Sequence, residues 1–126
     1  MGRLYGDLLE RTFNFALAIL NIADDLPQST NGWVLGKQVV RSGTSVGANL
    51  REANYATTDL EFSHKCNIAL KEASETEYWL LLCQHADLLG GEALEELVRE
   101  TNELIRILNT IVKKTRNRQA NDKTPD

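Results

Sequence analysis

Apolar residues recur every three or four positions along almost the whole chain, a rhythm that only an α-helix can place on one face. Leu4, Leu8, Phe15, Ile19, Ile22 and Leu26 form a first stripe at spacings of three, four and seven, so a helix is expected from about Leu4 to Asp25. Pro27 ends it, because the residue before a proline is pushed out of the helical region. The polar stretch from Gln28 to Gly32 reads as a loop that supplies candidate N-caps. Leu35, Val39, Val46, Leu50 and Ala53 mark a second helix, from about Trp33 to Ala56. Thr58 with Glu61 three residues later matches a capping box and starts a third helix at about Asp59. Its core stripe is Phe62, Cys66, Ala69, Ala73, Leu80 and Gln84, and Gly90-Gly91 is expected to stop it after Leu89. A fourth, from about Glu92 to Arg116, carries Leu94, Leu97, Val98, Leu104, Ile105, Leu108, Ile111 and Val112.

Four amphipathic helices with short connections predict an all-α fold, an antiparallel up-down four-helix bundle over residues 1–118. Residues 119–126 carry no apolar pattern and are expected to form a disordered tail. The length of 126 residues suits one domain, and two prolines leave little punctuation for an all-β alternative. The formal charge of −4 excludes a uniformly basic nucleic-acid binder, so any such contact needs a local patch. Cys66 and Cys83 fall on one helix, roughly 25 Å apart at about 1.5 Å per residue, beyond disulfide reach. They read as reduced thiols. Asp7 and Glu10 before the apolar run, and Asn14 and Asn21 within it, argue against a signal peptide. Gly6 stands where a myristoylation signal needs Ser or Thr, and no segment approaches a membrane span. A soluble, cytoplasmic protein with no membrane contact is expected.

Two surfaces of the second helix invite a functional reading. Gly36, Gly43 and Gly47 line up on one strip beside the apolar face. A mid-helix glycine costs about 1 kcal/mol relative to alanine, so three together predict close approach of another helix, from the same chain or from a neighbouring subunit. A phosphate-binding loop is not supported, since no strand precedes the glycines and no Gly-Lys-Ser/Thr follows. On another arc, Lys37, Arg41, Thr44, Ala48, Arg51 and Tyr55 fall in one line. Its cations could contact consecutive phosphates, with Tyr55 available for base stacking. A solvated face, or ion pairs to acidic residues of the third and fourth helices, explains the same row.

The run Tyr78-Trp-Leu-Leu-Leu-Cys83 is apolar all round, so more than one side of the third helix must be covered. Ile68, Trp79, Leu82 and Ala86 share a second face that predicts self-association, with Gly43 and Gly47 as further candidate subunit contacts. A carboxylate-bridged di-metal site would want Glu-x-x-His on two helices. One match exists, Glu61 to His64, and Glu61 already serves as a cap. Cys66 lies on the core stripe with His64 directed away, and Ser42 and Ser45 have no histidine close in sequence, so no catalytic constellation, metal site or cofactor site is expected. Lys113, Lys114, Arg116 and Arg118 place four cations in six residues near the C-terminus. They suit a helix C-terminus electrostatically. Repeated around an oligomer axis, they would also form a multivalent, salt-sensitive patch.

Two segments go beyond pattern, Gln38-Val-Val-Arg-Ser-Gly-Thr-Ser-Val-Gly-Ala-Asn-Leu-Arg-Glu-Ala53 and Asn67-Ile-Ala-Leu-Lys-Glu-Ala-Ser-Glu-Thr-Glu-Tyr-Trp-Leu80. Together they resemble the small four-helix-bundle proteins encoded within intervening sequences of bacterial 23S ribosomal RNA genes. The likeness extends over nearly the whole chain in helix order and loop length. It implies a homopentamer, a ring of copies with no enzymatic activity. A related branch, the accessory variability determinants of diversity-generating retroelements, binds nucleic acid and a reverse transcriptase. The expectation is therefore a non-enzymatic homo-oligomer that associates with RNA or DNA through Lys37, Arg41, Arg51, Tyr55 and the basic run. The alternative is a protein-protein adaptor for a polymerase or reverse transcriptase, without direct nucleic-acid contact.

Overall fold

In the computed structural model the described residues are 4 and 6–122, with side chains placed through residue 118. They form four helices, α1 (Gly6–Ala23), α2 (Thr30–Asn54), α3 (Asp59–His85) and α4 (Glu92–Asp122), and the fold is an all-α bundle. α1 packs on α2, α2 on α3 and α3 on α4, while α1 touches α4 sparsely. Among the described residues the backbones of α1 and α3 do not come close to each other, nor do those of α2 and α4, so each of these pairs lies across the bundle.

The helix ends follow local chemistry. Ser29 caps α2, its hydroxyl accepting from Gly32 N at 3.1 Å, so the helix begins three residues before the expected Trp33. Thr58 caps α3 by accepting from Glu61 N at 3.1 Å, and Glu61 reaches back to Thr57 N at 3.3 Å. The exit of α3 differs from expectation. It ends at His85, four residues before the expected Leu89, because Asp87 takes the left-handed conformation (φ 59°) that Gly90 and Gly91 were expected to supply. Leu88 N then donates to Cys83 O at 2.9 Å and Asp87 N to Gln84 O at 3.1 Å, the paired bonds of a Schellman close. α4 runs on past Arg116 to Asp122, so residues 119–122, expected in a disordered tail, are helical. Residues 123–126 of that tail lie outside the described residues.

The core is where the stripes meet. Ile19, Val39, Val46, Leu50, Leu80, Leu94, Leu104 and Leu108 are fully enclosed, and burying such side chains stabilises by about 1.5–3 kcal/mol each. Hydroxyls tie helices together inside it. Thr76 Oγ1 donates to Ser42 Oγ at 2.8 Å between α3 and α2, and Ser63 and Thr115 join α3 to α4 at 3.0 Å. Among the described residues no buried side-chain polar atom lacks a partner, as the cost of an unsatisfied buried group requires.

Candidate functional site

The strip of glycines on α2 meets α1 of the same chain. A Cβ built on Gly43 would stand 2.6 Å from Ile19 Cγ1, and one on Gly47 would stand 3.2 Å from Thr12 O. The two glycines assigned to a subunit contact are therefore occupied by their own bundle. They let α1 approach until Ile19 drops into the notch at Gly43 and the Thr12 carbonyl lies over Gly47.

The outward arc of α2 holds Lys37, Arg41, Arg51 and Tyr55, all exposed. Arg41 is not a free cation. Its guanidinium pairs with Glu75 and, at 3.2 Å, with Glu72 of α3, and it also donates to Gln38 Oε1 at 2.9 and 3.1 Å. A phosphate arriving at Arg41 would compete with two carboxylates, so the ion-pair reading holds at this position. Glu75 also accepts from Trp79 Nε1 at 2.9 Å. One carboxylate thus anchors both the arginine of the basic row and the indole of the apolar face. Lys37 and Arg51 make no ion pair among the described residues.

Lys113, Lys114, Arg116 and Arg118 are exposed near the end of α4, whereas Thr115 between them turns inward to Ser63. None of the four pairs with a carboxylate among the described residues. Lys114 and Arg118 line a groove with Leu4, and Leu4 N donates to Asn54 Oδ1 at 2.8 Å beside Tyr55. The end of α2 and the end of α4 therefore lie at the same end of the bundle, with Leu4 beside each, which places Arg51, Tyr55 and the basic run at that end. Lys37 is left out, roughly 27 Å along α2 from Tyr55 at about 1.5 Å per residue.

The second face of α3 is only partly covered. Ile68 and Trp79 are half-buried, Leu82 and Ala86 are exposed, and Tyr78 stands 59% exposed with its ring edge-on to Trp79 at 5.1 Å. Sequence reasoning missed a second apolar surface. Phe13, Leu17 and Leu20 on α1 are 55%, 45% and 42% exposed, on the side away from the core stripe. Their spacing of four and three was a readable signal, eclipsed by the stronger stripe that faces inward.

No reactive thiol is present among these groups. Burial pushes the Cys66 thiol up to about 11 and raises Cys83 as well, and a protonated thiol is a poor nucleophile. Ser42 is held by Gln38 O and Thr76 inside the α2–α3 seam. Among the described residues no group of three or more His, Cys, Asp or Glu is placed to hold a metal ion, and no helix is long and apolar enough to cross a membrane.

The chain is similar to a protein of unknown function from the S23 ribosomal protein family of Bacteroides thetaiotaomicron VPI-5482, known from a crystal structure. The two share 40% sequence identity over 83% of this chain and 97% of the other, with a TM-score of 0.77. None of the curated proteins matches. The family described as 23S rRNA-intervening sequence protein matches residues 7–110. With most of its length matched, including both segments on α2 and α3 that carried the resemblance, the chain belongs to the 23S rRNA-intervening sequence protein family.

Proposed function

We propose that this protein is a non-enzymatic homo-oligomer that associates with nucleic acid through the basic end of each bundle. The observation that carries the reading is the run at the end of α4. Four exposed cations stand there without carboxylate partners among the described residues, in a chain whose formal charge is −4. Like charges held this close repel one another, and a polyanion bound across them relieves that repulsion. Arg51 and Tyr55 at the same end add a further cation and a stacking ring. Arg41 acts as the anchor of Glu75 and Trp79, and Lys37 contacts only a long ligand.

Oligomerisation rests on two apolar surfaces. The helices run up and down in turn, so α1 and α3 sit diagonally on either side of α2. The stripe Phe13-Leu17-Leu20 and the face of Tyr78, Trp79 and Leu82 then look in different directions. Two unlike patches suit a head-to-tail contact between copies, which closes into a ring when the rotation permits. Five copies follow from the family likeness, and a ring would repeat the basic end around its axis. Buried, unpaired Cys66 and Cys83 suit a reducing cytoplasm.

Titration of a fluorescently labelled single-stranded RNA against salt tests the nucleic-acid reading. Four phosphate contacts per subunit predict an affinity falling with about the third power of salt concentration. Lys113→Glu with Lys114→Glu should weaken binding and flatten that slope. No association at low ionic strength would overturn the reading.

A further inference from the structure

The seam between α1 and α4 is the loosest joint of the bundle. Along it lies an open groove of about 690 Å³. Phe15, Ile22 and Leu97 form its floor, each nearly enclosed, and the small side chains of Ala18 and Ala93 leave room for another helix to approach. The rim is acidic. Asp7, Glu10, Asp25, Glu96 and Glu100 line it, and Arg11 is the one cation among the lining residues. Arg11 is spent on Glu100, to which Nε and Nη2 each donate at 2.7 Å. The other four carboxylates have no ion-pair partner among the described residues. Five carboxylates against one guanidinium leave −4, equal to the formal charge of the entire chain. The groove therefore holds the molecule's net charge, and the rest of the surface balances.

We propose that this groove docks a cationic amphipathic helix of a partner protein. The lining runs along α1 from Asp7 and past its end at Ala23 to Asp25; the α1 part alone spans roughly 24 Å, enough for four to five turns of a docked helix. An apolar trough with a rim of one charge recognises a helix that carries one aliphatic stripe flanked by lysine and arginine. Nucleic acid is repelled by the same rim. A second copy of this chain is a poor occupant, because its cationic run follows Ile111 and Val112, which already pack in their own core. The inference stands apart from the nucleic-acid reading, since neither the site nor its test involves a phosphate.

The test uses the full chain and a labelled synthetic peptide of about 18 residues, the length of a five-turn helix, built from leucine, alanine and lysine with one leucine stripe. A permuted peptide of the same composition without the stripe is the control. The stripe-bearing peptide should bind saturably. The permuted peptide, and the variant Glu10→Lys with Glu96→Lys, should each bind about tenfold more weakly or worse. Backbone amide shifts on the wild-type protein should cluster on Asn21, Ala93 and Glu96, which decides the matter even if the double variant folds poorly. Equal binding of the two peptides, equal binding to the variant, or shifts clustered elsewhere would overturn the proposal. So would a change in native mass caused by the double variant, which would place a second copy in the groove.

Discussion

At Gly43 the space for a single methyl group is already taken by Ile19, whose Cγ1, Cγ2 and Cδ1 would all lie within 2.9 Å of a new Cβ. Overpacking of this kind costs about 1–3 kcal/mol, against roughly 1 kcal/mol gained by removing a mid-helix glycine. Gly43→Ala should therefore lower stability by about 1 kcal/mol in a denaturant titration. Gly36→Ala is the internal contrast. Its Cβ would meet only the flexible tip of Leu26 at 3.3 Å, so the same assay should show no loss and a gain of up to about 1 kcal/mol. Helical periodicity showed that these glycines share a strip, yet it carries no information about which helix fills it. That is why Gly43 and Gly47 could be taken for a subunit contact when α1 of the same chain sits there. Cys66 offers a second residue-scale test. Its folded-state thiol is raised from 9.0 to about 11 by burial, so the native state holds its proton more tightly than the unfolded chain. The stability this contributes is complete below the unfolded value and is lost as pH rises through the folded one. A fall on the order of 2 kcal/mol between about pH 9 and 11 is expected for the wild type. Cys66→Ala should show a shallower fall in urea titrations over that range.

The four helices were legible as elements because each carries an apolar stripe, and that stripe is largely the buried one in all four, including α3, where Phe62, Cys66, Ala69, Ala73 and Leu80 are enclosed. Helix ends were less legible, since they depend on which residue accepts a left-handed backbone. Gly90-Gly91 looked like the stop for α3, but Asp87 takes that conformation earlier and lets Leu88 and Leu89 turn back over Cys83. An aspartate in the left-handed region costs about 1 kcal/mol relative to glycine. Asp87→Gly should accordingly stabilise the fold by about 0.5–1 kcal/mol, read as a higher denaturation midpoint with unchanged slope. Destabilisation would mean that the Asp87 side chain has a role beyond its backbone. The excess apolar surface on α3 was readable from Tyr78 to Cys83, whose side chains reach nearly every direction around the helix. The link from Arg41 through Glu75 to Trp79 was not. It joins Arg41 of α2 to Glu75 and Trp79, one turn apart on α3, and only the packing register of the two helices brings the three groups together.

Across the whole molecule, charge and greasiness are sorted. Acidic charge concentrates in the α1–α4 groove, four unpaired cations stand together near the end of α4, and apolar residues are left bare on α1, on α3 and, at Trp33 and Val34, on α2. A bundle with Phe13, Leu17, Leu20, Tyr78 and Leu82 in water leaves unburied much of the area that would stabilise it. On the reading proposed above, association of copies recovers that area and joins the basic ends into one surface. The mass of the native protein in dilute solution tests this most directly. The account predicts a multiple of the 14.1 kDa chain, reduced to the single chain by Leu17→Glu combined with Leu82→Glu. A mass of one chain for the wild type at every concentration would contradict it.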